Sequence, residues 1–453
     1  MSEAFPMTAN MLCSKKVTEK DEKVPIVART LSLVTVLLLV ACTTKFDPEV
    51  TDNLKTPEEV GFIDRALVER NGDVTVRVAA LSAEESKAIF GVPLAQDRVQ
   101  PVCVEVQNGS DQHYVFFPID LDPDYFSSFE LAWKYRYSNA EEALRQISQH
   151  FEQYQMPFFV APRETVSGFV YANKDQGAKA VAIDLVGDDH DVKTFEFVVT
   201  VPGLKADYFE KDWDAMLSDT QFVDLDTEEL RKLLEKLPCC TLGGDRKTPG
   251  DPLNIVVISK IEDDELLFPF VRRGWDLTET VHTASMWNTI KSSLFRSQYR
   301  YSPVSPLYVF ERPQDIALQK ARASVDERNH LRLWMSPYRY REMHVFIGQI
   351  SRDIGVRFSS KTLVTHKIDP DVDEAREYLS QDLFKSRQVA EIGYVTGVGA
   401  LEPSAPRYNY TGDPYWTDGL RAVYVLVDDL VPLEELEHFD WEWPSHTRRL
   451  GGQ

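Results

Sequence analysis

The sequence predicts an α+β protein in which an amino-terminal β-sandwich-like domain precedes a mixed α+β domain. Short β-rich runs bounded by Gly, Pro, Asn and Asp dominate residues 71–237, a pattern typical of sandwiches. From residue 253 onward, helical and strand patterns mix without strict alternation, which disfavours a doubly wound sheet. The chain has 453 residues, of which 43% are hydrophobic, so it can bury a core and wholesale disorder is excluded.

The chain is strongly acidic. It has 50 Lys and Arg against 72 Asp and Glu, a formal net charge of −22. Such a surface repels phosphate backbones, so we predict no nucleic-acid partner. The mean hydropathy of −0.31 excludes a membrane protein with many spans. One apolar run, at residues 30–42, departs from this average.

The apolar run has the length and flanks of the hydrophobic part of a signal peptide. Arg29 precedes about a dozen apolar residues, fewer than the ~20 that a spanning helix needs. Residues 39–42 then read Leu-Val-Ala-Cys, which resembles the bacterial lipobox, in which the Cys takes up lipid. The resemblance implies that Cys42 is a lipid anchor and that the protein is a lipoprotein of the bacterial cell envelope, held at a membrane and facing the periplasm. The alternative is an uncleaved amino-terminal membrane anchor that extends back to Val24.

The first 22 residues are polar and mixed in charge, unlike a short signal-peptide start. We therefore expect that translation truly begins downstream, near Val24 or Val27. The predicted organisation is a signal peptide at 1–41, a tether at 42–70, the β-sandwich-like domain at 71–237, a linker at 238–252 and the α+β domain at 253–453.

Strands of the first domain are predicted from period-two alternation, as at Val74, Val76 and Val78. Ser138, three residues before Glu141, has the spacing of a capping box and predicts a helical insertion. The predicted strands are residues 74–78, 102–106, 114–117, 169–171, 180–185 and 195–201.

A second capping pattern, Asp226 with Glu229, predicts a helix whose leucines form one apolar stripe. Residues 238–252 follow, contain three glycines and read as a turn-rich linker; a phosphate-binding loop is excluded because GxxxxGK is absent. Strands are then predicted at 254–259, 307–310, 329–334, 344–350, 363–366 and 422–427, and helices at 262–274, 286–294 and 371–383.

Three cysteines follow the signal: Cys103, Cys239 and Cys240. In an oxidising compartment, Cys103 could bridge to one of the adjacent pair. The alternative is that all three are small buried residues. No CxxC or Cys/His spacing, P-loop or dinucleotide fingerprint is present, so we predict no metal and no cofactor.

Residues 328–334 read Arg-Asn-His-Leu-Arg-Leu-Trp, the clearest candidate site. In a strand, Arg328, His330 and Arg332 share one face; we call these three residues the basic row. Two guanidinium groups around an imidazole suit a phosphate or carboxylate, and Lys320 is a further anion-binding candidate. The alternative is a solvated strand face whose charges pair with Asp or Glu.

Further polar candidates lie nearby in the sequence. Asp353 precedes Gly355, where a turn would expose it, and His366 ends the next predicted strand. Asp369 follows; its alternative role is that of a helix N-cap, with Pro370 at the first helical position. An EF-hand is excluded because the run from Asp369 lacks Gly at its sixth and Glu at its twelfth position.

The segment with Gln314 and Asp315 is predicted to be helical, which would place Asp315 and Gln319 on one face. The two side chains would either line a site or only cap the helix and pair with local neighbours. Residues 411–419 form a turn-rich aromatic loop, which is interpreted as a lid or contact loop or, by default, as a surface turn.

Several of these segments resemble the LssY carboxy-terminal domain, over roughly residues 250–400. The segments that carry the resemblance are 252–256, 305–310, 312–320, the Arg-x-His-x-Arg-x-Trp run at 328–334, and 365–373. Residues 122–126 and 237–241 resemble what precedes this domain in its lipoprotein members. The resemblance implies no established activity. The family often has a second His where this sequence has Asn329 and Lys367, which disfavours a site that needs a His pair.

Two functional hypotheses follow. In the first, an envelope lipoprotein with an LssY-like domain has an accessory or binding role toward a membrane-associated partner, such as a membrane protein, or toward an anionic ligand. In the second, the protein is an envelope hydrolase acting on a phosphate-bearing substrate. His330, Asp353 and His366 would then converge, with Asp369 nearby, while the arginines of the basic row hold the phosphate. The sequence leaves open whether the protein is an enzyme.

Overall fold

The computed structural model describes residues 45–47, 54–138, 140–175, 177–203, 207–261, 265–278, 306–321, 328–357 and 365–444. The predicted signal peptide, its alternative as a membrane anchor, Cys42, and the predicted helix at 286–294 lie outside these residues. Contacts group the chain into Met1–Lys45 and Phe46–Gln453. All elements below belong to the second unit, and the predicted domain limits within it stay predictions.

Strand formation in the first part follows the predicted alternation. Val74, Val76 and Val78 are fully buried, while Arg77 between them is exposed. The strands are β1 (Leu67–Asn71), β2 (Val74–Ala80), β3 (Val99–Asn108), β4 (Tyr114–Phe116), β5 (Phe159–Val160), β6 (Thr165–Asn173), β7 (Gly177–Gly187) and β8 (Val192–Val201).

These strands form two antiparallel four-stranded sheets, in the orders β1-β2-β3-β6 and β5-β4-β7-β8. Both contribute to one apolar cluster, for example through Val76 and Val104 of the first sheet and Leu185 and Phe195 of the second. A further cluster covers Phe169 and Tyr171 of β6 with helical residues, among them Phe90. The helices are α1 (Pro57–Val60), α2 (Ala83–Phe90), α3 (Pro118–Leu121), α4 (Ser128–Tyr135) and α5 (Glu141–Glu152).

The predicted helical insertion is present as α5, and its Ile147 and Phe151 are fully buried. Its predicted cap is wrong by two residues, because Ala140 is the N-cap. The Ser138 hydroxyl instead accepts a hydrogen bond from the backbone N–H of Ala140 at 3.0 Å, a local turn that competes with capping.

The predicted helix after Asp226 is confirmed. The Asp226 carboxylate accepts from the backbone N–H of Glu229 at 2.8 Å, and the Glu229 carboxylate accepts from that of Asp226 at 3.0 Å. Leu230 and Leu234 are fully buried. The elements here are α6 (Asp207–Glu210), α7 (Trp213–Asp219), β9 (Val223–Leu225) and α8 (Thr227–Lys236).

Among the described residues, the second part of the chain contains one large sheet and two small ones. Its strands are β10 (Cys240–Leu242), β11 (Pro249–Pro252), β12 (Ile255–Ser259), β13 (Asp276–Leu277), β14 (Tyr308–Val309), β15 (Arg312–Pro313), β16 (Ile316–Ala321), β17 (Arg328–Tyr340), β18 (Met343–Arg357), β19 (Thr365–Ile368), β20 (Val389–Thr396), β21 (Arg407–Tyr408), β22 (Pro414–Tyr415), β23 (Leu420–Leu426) and β24 (Glu437–His438). Its helices are α9 (Phe268–Arg272) and α10 (Val372–Ser386).

Ten of the described strands pair in this sheet, in the order β13-β16-β17-β18-β12-β23-β20-β24, with β19 on β18 and β9 on β17. One face carries Leu331 and Ile350, which pack in a cluster with Leu379 of α10. The opposite face carries Trp334 and joins a cluster with Leu230 of α8. Because both faces are covered, β17 and β18 present no solvated side over most of their length.

The helix predicted around Asp315 and Gln319 is wrong, since residues 316–321 form β16. All six of its residues pair with β17, from Ile316 opposite Leu333 to Ala321 opposite Arg328, and tertiary pairing overrides the local pattern. A four-residue spacing also shares a face in a strand, so the pattern could not separate the two structures. The predicted linker 238–252 contains β10 and β11, which pair with each other.

The mixture of helices with largely antiparallel sheets confirms the α+β class. Within the described residues, every helix is too short or too polar to cross a membrane.

Candidate functional site

The basic row lies on one face of β17, as predicted, but this face is covered. Arg328, His330 and Arg332 are 3%, 5% and 6% exposed. The solvation expected in the alternative is therefore wrong, but its pairing with acidic residues is present, because Arg328 and His330 both lie against Asp353. The strand alternation was correct, and β16 and β18 pair with β17 along its two edges, but the row is buried because other residues, among them Asp251, cover this face.

Asp353 joins the basic row from the neighbouring strand. Its Oδ2 lies 2.6 Å from Nε2 of His330. The predicted exposure of Asp353 at a strand end is wrong, because β18 continues to Arg357 and the side chain is 3% exposed. His330 and Asp353 thus form a buried dyad.

The electrostatics define the state of this dyad. Burial, and then the charges of Arg328 and Arg332, hold the pKa of His330 well below its usual range. A neutral imidazole beside a carboxylate donates its Nε2–H to Asp353, so Nδ1 carries the lone pair. Nδ1 is buried and has no hydrogen-bond partner among the described residues. A ring oriented by a carboxylate, with a lone pair on its other nitrogen, can accept a hydrogen bond, although the lowered pKa makes it a weak proton acceptor.

Both arginines are held by glutamine side chains. Nη1 of Arg328 donates to Oε1 of Gln319 at 2.8 Å, and Nη1 of Arg332 donates to Oε1 of Gln349 at 2.6 Å. Nε of Arg328 also lies 3.8 Å from the Asp353 carboxylate. Burial is the main reason that the pKa of Arg332 falls to about 10.

Sequence analysis missed two members of this site, Asp251 and Asn409. Burial raises the pKa of Asp251, and Arg332 and Asn409 oppose that rise. Nδ2 of Asn409 donates to Oδ1 of Asp251 at 2.7 Å. Asp251 fell inside the predicted linker, although the family-like segment at 252–256 begins at the next residue.

Lys320 does not join the basic row. Successive strand residues point to opposite faces, so Lys320 lies on the other side of β16 from Gln319, and its Nζ donates to Asp382 of α10 at 2.6 Å. Asp315 is fully buried and pairs with Lys211 and Arg312, while Oε1 of Gln314 accepts from the backbone N–H of Leu307. These contacts stabilise the edge of the sheet.

His366 lies apart from the dyad, whereas the backbone of Asp369 lies beside β18, where its N–H donates to the carbonyl of Arg352 at 2.7 Å. His330 pairs with Ser351 of β18, whereas His366 pairs with Val356, five residues further along, or roughly 16 Å of strand. Asp369 is not the N-cap; Asp371 is, and α10 begins after it at Val372. The Asp369 carboxylate instead accepts from the backbone N–H of Asp371 at 3.1 Å.

The structure therefore brings together four of the predicted residues, Arg328, His330, Arg332 and Asp353. It places the other described candidates elsewhere: Gln314, Asp315, Lys320, His366 and Asp369. Within the described part of the chain, no group of three or more His, Cys, Asp and Glu is arranged to hold a metal ion.

The adjacent cysteines Cys239 and Cys240 form a disulfide with each other, and Cys103 is free and buried. A bridge from Cys103 is thus not formed. Nη1 of Arg407 lies 3.3 Å from Sγ of Cys239, and the Tyr415 hydroxyl lies 3.4 Å from Sγ of Cys240. These contacts attach β21 and β22, which flank Asn409, to β10.

The family model described as the LssY C-terminus matches residues 234–420. This match covers β10 to β22, the basic row and Asp353, and it confirms the family resemblance of this region. Residues 234–420 are therefore similar to the LssY C-terminus, and we call them the LssY C-terminal region. No curated protein matches the chain.

Proposed function

We propose that the LssY C-terminal region binds an anionic group, a phosphate or a carboxylate, at the basic row. The observation that carries the proposal is geometric: Arg328 and Arg332 lie on either side of His330 on one face of β17, and burial together with their charges lowers the pKa of His330. An anion next to the row would be favoured by both guanidinium charges, and a phosphate that still carries a proton could also donate a hydrogen bond to Nδ1 of His330.

Inorganic phosphate tests this proposal. A ligand that binds only the folded state raises the melting temperature with its concentration, so phosphate should stabilise the wild type more than chloride of equal ionic strength. Arg332→Lys keeps a charge but loses the planar fork, and should lower phosphate affinity about tenfold. Arg339→Lys is the matched control, because Arg339 lies on the same strand and pairs with Asp224 at the surface.

Equal stabilisation by phosphate and chloride, or equal phosphate affinity in Arg332→Lys and the wild type, would contradict the proposal. Circular dichroism checks that each variant is folded, so that a loss of binding is not mistaken for a loss of structure.

The place of action is part of the same proposal. The lipobox-like residues 39–42 support an envelope lipoprotein that is anchored through Cys42, faces the periplasm and assists a membrane-associated partner. The two four-stranded sheets with their shared apolar cluster support the predicted β-sandwich-like domain as its amino-terminal part.

Metabolic labelling with an alkyne fatty acid tests the anchor. The wild type should incorporate the label and Cys42→Ala should not, while Cys103→Ala, which removes a buried thiol elsewhere, should still be labelled. Label retained in Cys42→Ala would refute anchoring at this residue.

The dyad favours one second candidate, hydrolysis of a phosphate-bearing substrate. The 2.6 Å contact between His330 and Asp353 has the geometry of a general base held by a carboxylate. His366 is not needed in this version. p-Nitrophenyl phosphate and its diester should be hydrolysed by the wild type and by Arg339→Lys, and at least a hundredfold more slowly by His330→Gln. A wild type that binds phosphate but hydrolyses neither ester would be a binding protein and not this enzyme.

A further inference from the structure

A groove of about 670 Å³ lies on the other face of the large sheet from the basic row. Arg352 of β18 lines it, and Arg352 points away from the face that carries its neighbour Asp353. Its other walls are the first turns of α10, residues 400–403, residues 416–418 and Trp443. We call it the acidic groove. Its volume lies within the range of small-molecule sites in proteins.

Negative charge dominates its lining. The lining carboxylates are Asp371, Asp373, Glu374, Glu377, Glu402 and Asp418, against two guanidinium groups. One of these, that of Arg376, is only 1% exposed and is bound by Glu377 and Asp418 at 2.8 Å and by Asp373 at 3.2 Å. It therefore neutralises the bottom of the groove and leaves an excess of carboxylates above it.

The carboxylates of the groove are crowded. Burial is the first reason that the pKa of Asp373 rises to about 6, and Asp418 adds to it, while Arg376 opposes it. Burial, and the nearby Glu374 and Asp369, raise the pKa of Asp371. A positive charge in the groove would relieve this repulsion.

Aromatic rings form the rest of the lining. Tyr378 and Tyr394 already face cations of the protein, because Arg352 lies 5.6 Å from the Tyr378 centroid and Arg376 lies 5.6 Å from the Tyr394 centroid. The indoles of Trp416 and Trp443 also line the groove. Trp443 is 63% exposed, so its ring is accessible to a ligand from solvent.

The kind of cation follows from how the charges are spread. A metal ion needs several carboxylates converging on one point, and no group of three or more His, Cys, Asp and Glu within the described residues does so. A diffuse organic cation fits carboxylates that ring a volume together with indole faces. We propose that the acidic groove binds an alkylated ammonium ion, held by the surrounding carboxylates and by cation–π contact with Trp416 and Trp443.

Calorimetric titration of the full chain with choline chloride tests this proposal. Two controls separate charge from shape: sodium chloride at equal ionic strength, and 3,3-dimethyl-1-butanol, which has the shape of choline without its charge. We expect heat of binding for choline alone. No choline binding at tens of millimolar, or equal binding of the uncharged alcohol, would overturn the proposal.

Variants locate the binding. Trp443→Leu should weaken choline binding about fivefold or more, since it removes an exposed ring without opening a core. Asp371→Asn removes one charge but keeps a good N-cap for α10, and should also weaken binding. Trp133→Leu is the matched control, an indole 54% exposed and remote from the groove in the sequence. Unchanged affinity in both groove variants would place the binding elsewhere.

A last comparison separates two sources of the ammonium group. Vesicles of phosphatidylcholine that compete with choline for the wild type, but not for Trp443→Leu, would identify a lipid head group. Choline binding that such vesicles leave unchanged would identify a free alkylated ammonium ion in solution as the ligand. Vesicles of phosphatidylglycerol control for attachment of the chain to any membrane.

Discussion

The basic row and the acidic groove lie on opposite faces of one sheet and solve opposite electrostatic problems. The row holds two arginines in the interior: Gln319 and the Asp353 carboxylate compensate Arg328, and Gln349 compensates Arg332. The groove is open, so its carboxylates are solvated in part and need less compensation. Burial requires the charges of the row to be paired, whereas exposure makes the groove accessible.

The largest expected effect is the difference in the free energy of unfolding between removing a buried charge and removing an exposed one. Asp353→Asn removes the negative partner of His330 and Arg328, and should lower the free energy of unfolding by about 3 kcal/mol or more. Asp224→Asn is the matched control, because Asp224 also pairs with an arginine of β17 but its side chain is 67% exposed. Asp224→Asn should lower the free energy of unfolding by less than about 1 kcal/mol.

Urea denaturation of both variants measures the difference. Similar losses of unfolding free energy in the two variants would contradict the burial of Asp353. The difference in charge compensation between the row and the groove would then not hold.

A pair of tryptophans tests the same contrast through packing. Trp334 follows the basic row on β17 and is fully buried, whereas Trp443 at the groove is 63% exposed. Trp334→Ala should lower the free energy of unfolding by about 3–5 kcal/mol through the cavity it leaves. Trp443→Ala should change it by less than about 0.5 kcal/mol. Large destabilisation by Trp443→Ala would assign this ring to the core and not to a ligand.

The pH dependence of stability gives a smaller effect. Because the pKa of Asp373 is raised to about 6 in the folded protein, the folded state binds more protons than the unfolded state between about pH 4 and 6. The stabilisation is present below the unfolded pKa and is lost as pH rises through 6, on the order of 2 kcal/mol. Asp373→Asn should flatten this slope, measured by urea denaturation at pH 4, 5, 6 and 7.

Glu196 provides the internal reference for that slope. Burial raises its pKa to about 7, so the decline in stability between about pH 6 and 7 should remain in Asp373→Asn and be lost in Glu196→Gln. An unchanged slope below pH 6 in Asp373→Asn would show that this carboxyl is not perturbed as the groove geometry requires.

Sequence patterns predicted the parts of this protein that depend on neighbours along the chain. The cap at Asp226, the alternation of Val74, Val76 and Val78, and the shared face of Arg328 and His330 all follow from local periodicity. The same reasoning failed for residues 316–321, where a four-residue spacing fits a helix and a strand equally well and pairing with β17 decided.

Candidate-site prediction failed where the chain returns from far away. Asp251 and Asn409 are separated by more than 150 positions yet share a hydrogen bond, and no spacing rule connects them. Lys320 was grouped with the arginines by charge, but its face of β16 turns it toward α10. The groove was missed because its residues had local explanations as helix caps, acidic first-turn residues and turns.

The sequence by itself determined the α+β class, most element positions, the lipobox-like segment and the LssY-like motifs, because these are properties of neighbouring residues. Only the tertiary structure decided which polar residues meet. It buried the basic row against Asp353, separated His366 from it, and opened an acidic groove on the other face. Burial and charge pairing depend on every element that packs against a residue, and that information is not local in the chain.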